Sequence, residues 1–464
     1  MVFDYRRFRR IFYGYIFRSS SGQILRFSLM LIFLSLFFLG ASIKQFYEPH
    51  IPSPQSTRLH PNEPITIKLR PFPVCHPRKL KVANITVEYY RKYPDKQRQP
   101  CFLVESIDGG EWWSYVTQEF AEILTHLREI GVESGIKYRP FPPMNNIHHG
   151  TNLTKLFLNA CGMDENVSVE HQMPIVALMW EINRRTWHHF NRNFKDLFKT
   201  TRLRFVTFID DLHFTTRGSW LSRMYLFESI SSEIFSTYPY IFHNYYTNIS
   251  SNKLTWLPHA ASTLSYNSIN ESAENVLFVS GANLIEWYPC RSRTFELCYR
   301  RKDLVACLEH PGYGITMKND SSHYYGGQRY FSYMRQYVFG LATCQSVQYA
   351  IAKLFEIPAN GLALVTTNDL IGVLRSLHFN LNEHFLAIDC SSSNQLISEL
   401  LRIQHTSTQT ILNMREKSQH IIHERHLTRH RAALIHVRLL AQALIASTTS
   451  DMERRQWEQW GRNC

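Results

Sequence analysis

The amino-terminal part of this sequence contains very little negative charge. Its first 26 residues hold a single acid, Asp4. The arginines in the same stretch are Arg6, Arg7, Arg9, Arg10, Arg18 and Arg26. Residues 27–43 carry no charge at all, and as a helix they would span roughly 25 Å. Since positive charge stays on the cytoplasmic side, the pattern predicts a cytoplasmic tail (1–26), a transmembrane signal anchor (27–43) and a lumenal remainder, or alternatively a signal peptide cleaved near 40–42.

Cysteine is absent from the first 74 residues, so every cysteine lies beyond the predicted anchor. Disulfides persist in the oxidising secretory compartments, and this placement agrees with a lumenal domain. The N-glycosylation sequons also lie beyond the anchor, at Asn84, Asn152, Asn166, Asn248, Asn270 and Asn319. The spacing of Cys290, Cys298 and Cys307 fits no zinc motif and favours a local disulfide. The sequence therefore predicts a single-pass type II glycoprotein of the Golgi or endoplasmic reticulum membrane.

Acidic residues are scarce in the whole chain as well, which has 38 acids, 51 Lys plus Arg and a net charge of +13. A lumenal domain rarely meets nucleic acid, so this charge favours nucleotide diphosphates, anionic glycans or lipid headgroups as partners. Residues 44–99 show little helical periodicity and predict a stem. The rest exceeds the size of one core and predicts two domains, 100–265 and 272–450, followed by a tail, 451–464.

The first predicted domain opens with the pattern of a doubly wound α/β sheet. Residues 101–106 predict a strand, 108–112 a glycine-containing turn, and 115–130 a helix with one apolar face. Further strands are predicted at 174–179, 203–209 and 240–242, and residues 255–261 are predicted to close the domain. Short apolar strands that alternate with helices favour parallel sheets covered on both faces. The predicted fold is therefore α/β, with two Rossmann-like doubly wound domains.

The second predicted domain begins with a buried strand at 276–280, followed by Gly281. A glycine after the first strand lets the backbone approach phosphate oxygens. Arg291 and Arg293 follow where a helix is predicted to begin, and an arginine there can neutralise the same oxygens. The pattern predicts a phosphate site.

Residues 353–361 form the most informative stretch of the chain. They read as a helix that ends at Glu356, is broken by Pro358, and turns at Gly361 into an apolar strand, 362–366. A carboxylate on the C-terminal side of a parallel sheet is well placed to accept hydrogen bonds from the two hydroxyls of a ribose. The alternative is an ordinary helix cap that leads into a strand.

In this order, the motifs resemble the nucleotide-sugar half of the two-domain (GT-B) glycosyltransferases, in particular the "glycosyl transferases group 1" branch that includes spore-maturation-type enzymes. The resemblance covers most of residues 255–438 and includes the motif Tyr-Pro-x-Arg at 288–291, His-Pro-Gly-Tyr at 310–313, and the segment 424–430. It implies an enzyme that transfers a sugar from a nucleotide-sugar donor to a glycan, protein or lipid acceptor. The donor is a substrate, and neither a cofactor nor a metal is implied.

The resemblance also implies roles for the donor-side residues. Glu356 would bind the ribose hydroxyls, and Gly361 would permit the close turn beside it. Arg291, or Arg293 in its place, would contact the diphosphate. Lys353 would offset phosphate charge. A surface arginine, and a lysine that complements a helix dipole, are the structural alternatives for the two basic positions.

The acceptor-side residues are predicted near the domain boundary. His259 would face the cleft and donate to a phosphate or to the leaving oxygen, unless it is a buried structural histidine. Asp210 and Asp211 follow a strand, so one of them could act as the base toward the acceptor hydroxyl, with His213 beside it. Helix capping is one alternative for the aspartates. Another is the metal-binding pair of the single-domain (GT-A) transferases, which holds Mn or Mg.

One position departs from the family pattern. Many retaining members of the wider superfamily carry a glutamate eight residues before the ribose-binding one, where this chain has Gln348. The missing acid leaves the stereochemical outcome open. It also keeps a second class of function in view, a non-catalytic glycan-binding or scaffold protein built on the same fold.

Overall fold

Two parallel sheets and the helices around them make up the described part of the chain. The computed structural model describes residues 72, 80–95, 99–105, 115–142, 151–164, 166, 172–180, 197, 201–210, 223–238, 246, 248–265, 267–309, 327–344, 349–448 and 450–462. Both sheets belong to one compact unit that starts at Ile65. The predicted anchor, 27–43, lies outside these ranges, and no helix within them is long and apolar enough to cross a membrane.

The first sheet is formed entirely by parallel pairs among the described strands. Its strands are β1 (Cys101–Val104), β2 (Tyr138–Pro140), β3 (Ile175–Trp180), β4 (Leu203–Ile209), β5 (Ser231–Ser236) and β6 (Leu254–Trp256). Their order is β2-β1-β3-β4-β5-β6. Strand β3 is buried along its whole length, as a sheet covered on both faces requires.

The second sheet follows the same plan. Its described strands are β7 (Glu274–Gly281), β8 (Val305–Glu309), β9 (Tyr337–Leu341), β10 (Ala363–Thr367) and β11 (Phe385–Ile388). Their order is β11-β10-β9-β7-β8, again with parallel pairs. The predicted α/β class with parallel sheets is confirmed.

Helices connect the strands and cover the sheets. The described ones are α1 (Leu80–Lys92), α2 (Tyr115–Glu133), α3 (Leu153–Cys161), α4 (Pro289–Leu297), α5 (Gly327–Met334), α6 (Lys353–Ala359), α7 (Ile371–Ser376), α8 (Ser393–Gln404), α9 (Thr408–Arg425), α10 (Thr428–Ala446) and α11 (Asp451–Arg462). Helix α1 lies in the predicted stem but packs against α10. That part of the stem is therefore built into the fold.

The strand order reverses beside the first strand of each sheet. The reversal lies between β1 and β3 in the first sheet and between β7 and β9 in the second. In parallel sheets the crevice at such a reversal opens at the carboxyl ends of the strands and is the usual place for a ligand. Gly281 ends β7 and Thr343 follows β9, so both lie at the second reversal.

Five described strands were not predicted: β2, β5, β8, β9 and β11. Two of them, β2 and β5, lack an apolar pattern. Strand β2 has three residues, all partly or fully exposed. Strand β5 reads Ser-Ser-Glu-Ile-Phe-Ser, and its Glu233 is nevertheless buried. Partners from a distant helix make that burial possible, and the local sequence does not reveal them. The predicted strand at 240–242 lies outside the described residues.

The helix that carries Glu356 differs from the prediction. It does not end at Glu356; it begins at Lys353 and continues through Pro358 to Ala359. A proline removes one amide donor from a helix, and here the loss affects a single short turn, since the Asn360 N–H still donates to the Glu356 carbonyl at 3.0 Å. Because α6 follows β9, its first turn lies at the carboxyl edge of the second sheet.

Helix α10 follows the second sheet in sequence but packs on the first, against α2, β3 and β4. Buried charge holds it there. Arg438 donates through Nε to Glu233 of β5, and both side chains are at most 5% exposed. Gln442 donates to the other oxygen of that carboxylate at 2.8 Å, and Thr255 donates to the first oxygen at 2.8 Å. The carboxylate is thus fully engaged within the core.

We expect Arg438→Met to lower the free energy of unfolding by about 3–5 kcal/mol, because it leaves Glu233 buried without its charge partner. Arg402→Met is the matched control. Arg402 pairs with Glu399 at 2.7 Å, but its side chain is 51% exposed, and such surface pairs contribute about 0.2–1 kcal/mol. Urea unfolding of both variants measures the difference. Equal losses would contradict a structural role for the buried pair.

The described cysteines confirm the local disulfide and add two longer ones. The bridges are Cys101–Cys161, Cys290–Cys390 and Cys298–Cys307. The bridge from Cys290 ties the start of α4 to the end of β11. It therefore restrains the turn of helix that carries Arg291.

Candidate functional site

Three residues converge at the carboxyl end of β7. Gly281 has a φ of +108°, a conformation that glycine adopts far more readily than other residues. A Cβ at this position would lie 3.0 Å from Nη1 of Arg291 and 3.4 Å from Cε of Lys353. Both cationic side chains therefore pack directly against the glycine. Gly281, Arg291 and Lys353 are called the cation cluster below.

Arg291 spans the gap between β7 and β9. It is 4% exposed, and it donates to the Ala282 carbonyl at 3.3 Å and to the Thr343 carbonyl at 3.2 Å. Its guanidinium also lies 3.8 Å above the ring of Tyr288. The buried Nε has no hydrogen-bond partner among the described residues. A buried donor of this kind favours a ligand with acceptor oxygens.

Glu356 and Lys353 lie one turn apart on α6, beside Tyr330. Burial raises the pKa of Glu356, and Lys353 opposes the increase. Burial lowers the pKa of Lys353; Glu356 opposes the decrease, and Arg291 adds to it. The hydroxyls of Tyr330 and Ser280 lie 2.8 Å apart, and Lys353 Nζ lies 5.7 Å from the centre of the Tyr330 ring. Poorly solvated charges of opposite sign in one crevice are typical of a binding or catalytic site.

The segment after β6 supplies a second group of charged residues. His259 is 2% exposed, and its Nδ1 lies 2.8 Å from a carboxylate oxygen of Glu119 on α2. The other oxygen of Glu119 accepts from the Ala260 N–H at 2.7 Å. His259 Nε2 lies 3.7 Å from Asp210, which follows β4 and accepts from Thr237 Oγ1 at 2.7 Å. Glu119, His259 and Asp210 are called the histidine cluster below.

Arg431 of α10 fixes the backbone that carries His259. Its fully buried guanidinium donates to the carbonyls of Pro258 at 2.8 Å and His259 at 2.9 Å. A parallel β-bridge joins the neighbouring Ala261 to Leu427. The returning end of the chain thus holds this segment in place, which keeps the imidazole in a defined position.

The histidine cluster also acts on Glu356, which lies beside the cation cluster. After burial and Lys353, the charges that act on the pKa of Glu356 are Glu119, which raises it, and His259, which lowers it. Nearby, Tyr238 after β5 stacks on Tyr349, which precedes α6, with ring centres 4.1 Å apart. Charged groups positioned by both sheets therefore lie within electrostatic range of one another.

Some residues that were predicted for the donor site do not lie at the cation cluster. Gly361 precedes β10 with a φ of +75°, so it lies at the amino edge of the second sheet, facing Ile269 and Gln419. Arg293 donates to the Cys390 carbonyl. Neither of them joins the cation cluster. Outside the described residues lie Asp211, His213, 310–313 and Gln348.

Glu119 and Tyr330 were missed at the sequence level. The apolar pattern of α2 predicts its buried face and says nothing about the polar face, where Glu119 and Glu122 lie one turn apart. Both accept from backbone N–H groups beyond β6, those of Ala260 and Thr263. This pair of acids is the signal that could have revealed the contact. Tyr330 carries no comparable signal, because an aromatic residue in an amphipathic helix is ordinarily a packing residue.

We expect Glu122 to make the stability of the fold depend on pH. Burial acts to raise its pKa, but hydrogen bonds, chiefly from His126, Ser262 and Thr263, outweigh burial and lower the pKa from 4.5 to about 2. A depressed carboxyl pKa stabilises the folded state above pH 4.5, here by up to about 3 kcal/mol, and this contribution is lost as the pH falls toward 2. Glu122→Gln should therefore destabilise the protein at pH 7 and have little effect near pH 2. Urea unfolding across this range tests it, and a loss that does not vary with pH would contradict the assignment.

No protein-family model and no curated protein matches this sequence. Among solved structures, HepE from Anabaena, in complex with UDP and glucose, has a TM-score of 0.45 and 10% identity, covering 72% of this chain and 97% of its own. An alpha-glucosyltransferase in complex with UDP has a TM-score of 0.43 and 10% identity, with coverages of 70% and 96%. A glycosyltransferase from Rickettsia africae ESF-5 has a TM-score of 0.42 and 10% identity, with coverages of 73% and 99%. Similarity this distant assigns no role to any residue of this chain.

Proposed function

We propose that this chain is a GT-B glycosyltransferase that moves a sugar from a nucleotide-sugar donor to a glycan, protein or lipid acceptor. The observation that carries the proposal is the convergence of Glu356 and the cation cluster, at the second sheet, with the histidine cluster, at the first. A transfer between two substrates requires groups for both of them at one point. Two parallel sheets that each present charged groups to one place meet this requirement.

The cation cluster suits a diphosphate. Arg291 and Lys353 bring two positive charges against a strand end that has no side chain. A nucleoside diphosphate gains negative charge as its bond to the sugar breaks, and cations that are already fixed in place stabilise that charge. Glu356 lies one turn from Lys353 and can accept hydrogen bonds from both ribose hydroxyls. On this proposal the nucleotide-sugar is a substrate, and the reaction needs neither a cofactor nor a metal.

The histidine cluster suits the acceptor and the leaving group. Asp210 is buried and accepts from Thr237, and we assign it, or Asp211 next to it, as the base that takes the proton of the acceptor hydroxyl. His259 would supply a proton donor or a positive charge toward the leaving phosphate. His213 keeps the supporting role that the sequence predicts.

We also propose that the enzyme is a type II membrane protein whose catalytic region lies in the lumen of the Golgi or endoplasmic reticulum. The uncharged segment 27–43 behind an arginine-rich tail supports this location. So do the disulfides among the described cysteines and the sequons beyond the anchor.

The test is nucleotide binding by purified residues 65–464. The segment should start at residue 65 and not at the predicted end of the stem, because Phe72 is 3% exposed and α1 packs on α10. Calorimetry with UDP, GDP and CDP, each with and without EDTA, should show one nucleotide that binds regardless of chelation. The matching nucleotide-sugar should then release that diphosphate when acceptors are supplied.

Other outcomes of this experiment would favour other functions. Binding that EDTA abolishes would favour the metal-dependent GT-A interpretation based on Asp210 and Asp211. If none of the three diphosphates binds, the transferase proposal fails, and a non-catalytic glycan-binding protein becomes the better interpretation.

A further inference from the structure

Glu119 contacts the segment after β6 with both of its carboxylate oxygens. One lies 2.8 Å from His259 Nδ1, and the other accepts from the Ala260 N–H at 2.7 Å. The Glu119 side chain is 13% exposed and that of His259 is 2% exposed, so water competes weakly for either contact. A carboxylate on Nδ1 orients the imidazole and favours its protonated form.

Most of the charged groups around His259 also favour its protonated form. Glu119 on α2, Asp210 after β4 and Glu356 on α6 all favour a positive charge on the ring. Burial and Arg431 on α10 act against it, although the Arg431 guanidinium is directed at the Pro258 and His259 carbonyls and not at the ring. A protonated His259 would offset part of the negative charge that these carboxylates bring to the site.

We propose that Glu119 is a positioning residue that holds His259 as an imidazolium, with Nε2 turned toward Asp210 and the departing phosphate. The inference rests on the proposed function, because it assigns a charge at the same site. A protonated His259 adds a third fixed positive charge for the leaving group, beside those of Arg291 and Lys353. Glu119 acts through His259 and does not itself touch the substrates.

The protonation of His259 can be measured on the full-length protein without any ligand. Deuterium exchange at the imidazole C2 depends on protonation, and the tryptic peptide 254–291 contains His259 as its single histidine. Mass spectrometry of this peptide over a pH series gives the midpoint. We expect a wild-type midpoint above the ordinary value of about 6.5, and a midpoint in Glu119→Gln at least about one pH unit lower, a tenfold loss of proton affinity. Glu119→Asp should recover part of the shift.

The matched control is Glu122→Gln, one turn along α2, since Glu122 contacts Thr263 and not His259. It should leave the midpoint where the wild type has it. Equal midpoints in the wild type and Glu119→Gln, or a wild-type midpoint at or below the ordinary value, would overturn the proposal.

A second measurement separates this inference from the proposed function. Near pH 7.5, Glu119→Gln should bind whichever of UDP, GDP or CDP the wild type selects about tenfold more weakly. The ratio of the two affinities should approach one near pH 6, where His259 regains its proton in the variant; a merely structural defect would not respond to acid. If the wild type binds none of these diphosphates while the midpoints shift as expected, the positioning role stands and the transferase proposal falls.

Discussion

Glu356→Gln should weaken the binding of the nucleoside diphosphate about a hundredfold. Glutamine keeps the shape of the side chain but loses the charge, and hydrogen bonds to charged groups contribute about 1.5–3 kcal/mol each, against about 1.4 kcal/mol for each tenfold in affinity. Removing a negative charge would also relieve repulsion of the diphosphate. We expect that gain to be the smaller, because the ribose hydroxyls would contact the carboxylate itself, whereas the cation cluster already offsets the phosphates.

Because the pKa of Glu356 is raised, the affinity for the nucleoside diphosphate should depend on pH. Burial is the main cause of the increase, so the group binds its proton at a higher pH than an exposed glutamate does. The affinity of the wild type should therefore fall as the pH decreases through that range, whereas the affinity of Glu356→Gln should change less. Glu296→Gln, at an exposed position on α4, is the control and should bind normally. Calorimetry over a pH series tests both points, and wild-type affinity in Glu356→Gln would remove this residue from the donor site.

Gly281→Ala should abolish nucleotide binding and destabilise the fold. Its φ of +108° strains any residue with a Cβ, at a cost of order 1–3 kcal/mol. The new methyl would also lie 3.0 Å from Arg291 Nη1. Arg291 cannot easily yield, because carbonyls on both sides of the crevice accept from it. The cations would be displaced from the point where the diphosphate is proposed to bind.

Gly372→Ala is the control for this substitution. Gly372 lies in α7, and a Cβ built there meets no atom within 4 Å. The substitution should be neutral or stabilise the protein by about 0.4–1 kcal/mol, since alanine restricts the unfolded chain. Urea unfolding and calorimetry of both variants separate the two positions. If Gly281→Ala binds nucleotide as the wild type does, the cation cluster is not the diphosphate site.

The local pattern of apolar residues was enough to predict much of the fold. Strands β3, β4, β7 and β10, together with helix α2, lie close to where the sequence places them. Each is a short apolar run or a helix with one apolar face, and such patterns depend on burial alone. Strands β2 and β5 were missed because their residues are polar or partly exposed, and their places in the sheet depend on neighbours far away in sequence.

The candidate site shows the same limit. Gly281, Arg291, Lys353 and Glu356 were predicted together, and the structure brings them together at one edge of the second sheet. Gly361 was predicted to belong with them, but the turn from a helix into a parallel strand lies at the opposite edge. The edge at which each residue lies depends on where α6 begins and ends. Pro358 suggested that the helix ends at Glu356, whereas it begins at Lys353 and continues to Ala359.

The sequence by itself determined the α/β class, the parallel sheets and the residue types available for chemistry, because burial and local turn preferences act between residues that are close in the chain. The tertiary structure alone decided that Glu119 meets His259 across 140 positions, and that α10 returns to the first sheet and fixes the backbone of His259 through Arg431. These contacts arise from the packing of whole elements against one another. No local pattern encodes them, because the partners are far apart in the sequence.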